Sequence, residues 1–144
     1  MKLAKELLLI PIVLLIFTFL ISNAYGFVYG KIAYVFLPTN DSYLQISKIY
    51  ITGVLCFMLI EYFAMSFVPN NYFFSRMLGM ITMLSLYIII SYYYYVTFFV
   101  HISIILCGCL VSYIVQKMNE IRLQNFIGLF LLIIVFSYLT VVSF

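Results

Sequence analysis

The chain has 144 residues, 67% of them hydrophobic and only 8% charged, with a mean hydropathy of +1.24. Soluble domains carry roughly a quarter charged residues, so this composition cannot clothe a water-facing surface, and burial in lipid is the economical reading. Seven Lys and Arg stand against four Asp and Glu, scattered along the chain, which excludes the basic patch that tracks nucleic-acid phosphates.

About 20 apolar residues cross a bilayer as a helix. Residues 7–30 form the first such stretch. They carry Pro11 and Thr18, and Ser22, Gly26 and Gly30 recur every fourth position. Small residues at that spacing let two helix backbones approach closely, so this face is expected to pack against another helix. Lys2 and Lys5 before the apolar run, with Ser22-Asn23-Ala24 after it, also suit a cleaved signal peptide. The run continues through residues 25–29, which favours a retained first span.

Residues 38–41, Pro-Thr-Asn-Asp, are turn chemistry. Asn40 and Asp41 are natural turn or cap residues. Ser42 with Gln45 three positions on predicts a capping box at the start of the second helix, and Lys48 lies just before its uncharged part. The second span is expected over residues 49–68, with one acid, Glu61, inside it. Pro69-Asn70-Asn71 marks the next turn.

Residues 77–116 run forty positions without a formal charge. As one helix they would extend about 60 Å, twice the hydrocarbon thickness. Two spans, 77–92 and 97–116, are therefore expected, broken near the four consecutive tyrosines at 92–95, a residue type suited to the membrane interface. The fourth span brings Thr97, His101, Gly108, Ser112 and Gln116 near one helical face, which should face other helices. A charged link over residues 117–122 leads to a fifth span at 125–144.

The fold class expected is all-α: a polytopic membrane helix bundle of about five transmembrane helices, as a single domain. With five spans, Lys2, Lys5, Arg76, Lys117 and Arg122 share one side, and Lys31 and Lys48 the other. The excess of basic residues sets the cytoplasmic side, so the N-terminus is expected inside and the C-terminus outside.

Few residues suggest chemistry. Cys56, Cys107 and Cys109 lie in apolar runs. The last two point about 200° apart on a helix, which suits buried free thiols and neither a shared metal nor a disulfide. His101 is the sole histidine, so no multi-histidine metal site exists and no cofactor is implied. Glu61 is the most informative position, because intramembrane acids are costly and commonly functional. Two readings stand side by side: a carboxylate on a polar path, or one that snorkels inward to pair with Arg76. Glu61 and His101 differ in depth by about 12 Å on the rise per residue, too far for direct partnership.

Residues 38–48, Pro-Thr-Asn-Asp-Ser-Tyr-Leu-Gln-Ile-Ser-Lys, resemble a Pro-x-Asn-Glu-Ser-x-x-Glu-His-x-Lys signature between the first two spans of a family of small bacterial multi-pass membrane proteins. Pro38, Asn40, Ser42 and Lys48 match, and Asp41 is a conservative change. Ile60-Glu61-Tyr62-Phe63 is also similar. Gln45 and Ile46 stand where that family has Glu and His, so the resemblance brings no catalytic or metal role to this loop. It implies a bacterial cytoplasmic membrane location and no assigned activity.

These readings favour a non-enzymatic subunit, assembly factor or regulator that meets a membrane-protein partner, or another copy of itself, inside the lipid bilayer. A transport or channel component using Glu61 is the second reading, and a lipid-modifying enzyme the third. The topology is testable: single cysteines at positions 70 and 94, in a background lacking the native three, should label from opposite sides of the membrane. Labelling from one side would overturn the five-span arrangement.

Overall fold

The computed structural model describes residues 2–24, 31–39, 42–64, 71–118 and 122–143. Among these there are six helices and no strand: α1 (Lys2–Ala24), α2 (Lys31–Phe36), α3 (Tyr43–Ala64), α4 (Tyr72–Tyr93), α5 (Phe98–Gln116) and α6 (Arg122–Ser143). The chain is an all-α bundle. By length and composition α3, α4 and α5 can each cross a membrane, and the described apolar parts of α1 and α6, Ile10–Ala24 and Phe126–Val135, are shorter.

The forty-residue uncharged run breaks between α4 and α5, although no Gly or Pro marks the place. Tyr94 is extended (φ −140°, ψ 150°) and so is Thr97 (φ −79°, ψ 165°). Aromatic and β-branched side chains favour that conformation, and Tyr94 N still donates to Ile90 O at 2.8 Å, closing the last turn of α4.

Charged residues do not end helices here as the uncharged stretches suggested. α3 begins at Tyr43, not at 49, and takes Lys48 inside it. α4 begins at Tyr72, not at 77, and takes Arg76 into its second turn. Both are buried, and both are tolerated because each head group has a partner, described below. The described part of the first helix runs to Ala24, and positions 25–30 of the expected span lie outside the described residues; α2 lies in the region expected as a loop. Its six residues simply continue the local apolar pattern.

Where helices cross closely, a glycine stands on at least one side. A Cβ added to Gly79 would lie 2.7 Å from Gly108 O, and one on Gly108 would lie 2.8 Å from Gly79 O and 2.3 Å from Met83 Cγ. Ser75 on α4 and Ser112 on α5, each four residues from its glycine and each buried, flank the crossing. Close backbone approach and the dispersion it allows hold helices of such apolar composition together. Elsewhere Thr18 of α1 meets Gly53 of α3, and Gly128 of α6 lies against the backbone of Phe73 and Phe74.

Among the described residues the close contact of α1 is at Thr18, which extends the face of Ser22, Gly26 and Gly30 inward by one turn. Ser22 is exposed, with its hydroxyl donated to Phe19 O at 2.8 Å. Gly26 and Gly30 lie outside the described residues. The helix runs through Pro11 without ending.

The core fills the space between α3, α4 and α5, with Tyr50, Ile51, Met77, Met80, Ile104 and Ile105 almost fully buried. Of the three thiols expected to be buried, Cys109 joins the core, Cys56 is half-buried and Cys107 faces outward, on the other side of α5 from Cys109. Gly79→Ala and Gly108→Ala each place a methyl against a backbone carbonyl. Each is expected to cost about 1–3 kcal/mol, the range for overpacking. Gly53→Ala meets only the Thr18 methyl, at 3.1 Å, and should cost less. Unfolding from bicelles by titrated SDS measures the order.

Candidate functional site

Three helices carry two polar layers. Glu61 on α3, Arg76 on α4 and Ser112 on α5 form one. Tyr50, Tyr87 and His101 of the same helices form the other. On each helix the two members are eleven residues apart, three turns of helix, so they share a face about 16 Å apart along the axis.

In the first layer Arg76 grips Glu61 with two bonds. Nη2 donates to Oε1 at 2.6 Å and Nε to Oε2 at 2.9 Å. The Tyr72 hydroxyl, one turn before Arg76, lies 3.0 Å from Oε2 and 3.1 Å from Met58 O and shares its proton between them. Arg76 Nη1 donates to Ser112 Oγ at 2.8 Å. The guanidinium carbon sits 5.5 Å from the ring centroids of both Phe57 and Tyr72. Side-chain exposure is 5% for Arg76 and 11% for Glu61. The pairing foreseen from the sequence is therefore present, but as a buried bidentate clasp and not as a snorkelling pair in water. Nearby, Asn71 Nδ2 donates to Met118 O at 2.9 Å, tying the start of α4 to the chain just beyond α5.

In the second layer the Tyr50 hydroxyl and His101 Nδ1 share a hydrogen bond. The imidazole stacks on Tyr50 at 5.8 Å and on Tyr87 at 6.2 Å between centroids, and Tyr50 and Tyr87 lie 5.3 Å apart. This layer opens into a cavity of about 670 Å³ bounded by Tyr43, Tyr87, tyrosines 92–95 and His101. A smaller cleft of about 110 Å³ meets Tyr50 and His101 from the side of α1.

Between the layers lie Val54, Phe57 and Met58 of α3, Met80 and Met83 of α4, and Ile104, Ile105 and Cys109 of α5, all buried. The void among them measures about 10 Å³, no more than one water needs. Glu61 and His101 are separated by this apolar layer and form no acid–base pair. Among the described residues no three His, Cys, Asp or Glu side chains gather as metal ligands.

The loop and cap residues read from the sequence serve to fasten α2. Lys48 Nζ donates to Tyr34 O and Thr52 Oγ1 to Phe36 O, both at 2.7 Å. These carbonyls are in the last turn of α2, where the helix itself provides no donors and a cation is favoured by the helix dipole. Ser42 Oγ accepts from Gln45 N at 3.4 Å, the first half of a capping box. Gln45 Oε1 accepts from Thr39 N at 3.4 Å and so holds the linker. Asn40 and Asp41 lie outside the described residues.

Tyr50, Tyr72, Tyr87 and Gly79 were not singled out in the sequence. Their signal was the register itself: Tyr72 is one turn from Arg76, and the other two tyrosines are each three turns from a charged residue. Lys48→Met should release the end of α2, because it removes a charge-assisted bond and leaves a half-buried carbonyl with one donor fewer. Hydrogen exchange at residues 33–37 should accelerate, with little change in the α4–α5 pair.

No family model, curated protein or solved structure matches the chain. The functional reading therefore rests on the geometry of these two layers.

Proposed function

We propose that the chain is a non-enzymatic, multi-pass protein of the bacterial cytoplasmic membrane: a small subunit, assembly factor or regulator that meets its partner through helix contacts within the bilayer. α1, α3, α4, α5 and α6 are the five spans, with the N-terminus inside. At about 9 Å long, α2 is too short to cross. Arg76 and Lys48 are held within the bundle, so the basic residues left near the helix ends are Lys2, Lys5, Lys117 and Arg122 on one side and Lys31 on the other. That distribution supports the orientation. The resemblance of residues 38–48 to small bacterial membrane proteins supports the location.

One observation carries the reading. Glu61, the acid within an apolar span, has both oxygens occupied by Arg76 and Tyr72. A carrier needs an acid free to change partners, and an enzyme needs one free to move a proton. Here the carboxylate clamps α3 to α4. The outward faces of α5 and α6, with Leu106, Leu110, Ile114, Phe126, Phe130 and Ile133 exposed, are apolar enough to meet lipid or another helix.

A clasp and a transport site respond oppositely to Glu61→Gln. Removing one partner of a buried pair strands the other charge and costs about 3–5 kcal/mol, so this variant should unfold far more readily than wild type. Glu61→Met combined with Arg76→Met should recover much of the loss. Wild-type vesicles should show no pH-driven proton or ion flux. A flux abolished in Glu61→Gln with stability unchanged would overturn the proposal. A stoichiometric partner retained on purification from native membranes in mild detergent would extend it.

A further inference from the structure

The cavity beside His101 has no role in the clasp, and its lining has an unusual composition. It is bounded by Tyr43 of α3, Tyr87, Ser91, Tyr92 and Tyr93 of α4, Tyr94 and Tyr95 of the link and His101 of α5. Among the described residues no Lys, Arg, Asp or Glu borders it. Its volume of about 670 Å³ falls within the roughly 300–1,000 Å³ of pockets that hold whole small molecules. Tyr92, Tyr93, Tyr94 and Tyr95 are 71–91% exposed, so these phenol rings are not spent on the core. Tyrosines at a membrane interface commonly act as anchors, but anchoring alone requires neither a cavity nor a buried Tyr50–Tyr87–His101 wall behind it.

The lining restricts the occupant. Among the described lining residues an anionic group meets no cation, and a metal ion meets one imidazole, whose Nδ1 is already engaged by Tyr50, and no carboxylate. A small quaternary ammonium can sit on aromatic faces but would fill only a fraction of the space. A neutral, hydroxyl-rich ring suits both features. Its C–H faces lie against aromatic rings, and its hydroxyls exchange hydrogen bonds with phenols that both donate and accept.

We propose that the cavity formed by Tyr43, Tyr87, tyrosines 92–95 and His101 binds a neutral glycosyl group at the membrane interface. Tyr87 and His101 line its floor, with Tyr50 packed behind them. A sugar carried on a lipid and a free sugar present the same chemistry to this lining. The site lies apart from the clasp, three turns along the same helices, and it adds to the subunit reading a ligand that the protein would sense or present.

Saturation-transfer NMR on the full chain in phosphatidylcholine nanodiscs tests this, with methyl β-glucoside, octyl β-glucoside and free choline as probes. Saturation should pass to the sugar ring protons. It should fall several-fold in the double variant Tyr94→Leu, Tyr95→Leu, whose exposed positions leave the core intact. It should persist in Tyr62→Leu, which removes an exposed tyrosine far from the cavity. Transfer to both glucosides supports a free sugar, and transfer to the octyl glucoside alone supports a lipid-borne one. Absence of transfer to either, transfer undiminished in the double variant, or stronger transfer to choline would each overturn the proposal. Hydrogen exchange across α4 and α5, unchanged in the double variant, shows that any loss is local.

Discussion

A carboxylate and a guanidinium cannot remain singly among apolar side chains, and the rest of the bundle is arranged around the pair that Glu61 and Arg76 make. The attraction does not come free of desolvation, which in a buried pair can match the Coulombic gain. What the pair enforces is registry. Two parallel bonds fix the guanidinium plane, so α3 and α4 can neither slide nor rotate without stranding a charge. Ser112 brings α5 into the same constraint through Nη1. Three otherwise greasy helices, which would pack almost as well in several registers, are held in one.

The eleven-residue spacing follows from that constraint. Once Glu61, Arg76 and Ser112 are level, three turns along each helix bring Tyr50, Tyr87 and His101 level too. Neighbouring helices run antiparallel, so the offset is counted forward on one and backward on the next. The glycine crossing of α4 and α5 falls between the layers, where Gly79 and Gly108 let the two backbones approach. Here the close approach and the clasp cooperate: a wider crossing would carry Ser112 away from Arg76. The α2 strap uses the same logic at the opposite end, with Lys48 satisfying carbonyls instead of a carboxylate.

Much of this was legible before any coordinates. Composition together with run lengths pointed to an all-α bundle, and the forty-residue run does break at the tyrosines, where the length of a single span placed it. Gly108 and Ser112 could be read as packing positions from their shared face, and Arg76 could be named as the partner of Glu61. Helix boundaries were less legible. Lys48 and Arg76 look like the edges of spans if a charge is taken to need water, whereas each is buried because a specific acceptor awaits it. That acceptor belongs to another helix and leaves no local trace. The same holds for Gly79, whose importance depends on what faces it. The depth of Ser22 likewise depends on how α1 lies against Gly53. Hydropathy measures a residue's own preference, and these positions are decided by their neighbours.

The two layers differ in what they leave unfinished. Around Glu61 the charged and polar atoms of the clasp meet one another, and an apolar layer closes it from above. Around His101 the polar atoms face a cavity with a rim of exposed phenols. A site holds a ligand well when its supporting shell is fixed before the ligand arrives. The clasp, three turns away on the same three helices, supplies such a support, because it sets the spacing and rotation of the helices that carry Tyr50, Tyr87 and His101. The saturated layer therefore serves the open one. The charges within apolar helices that first suggest chemistry hold the frame, and the uncharged aromatic layer at its other end is where the bundle has room for something else.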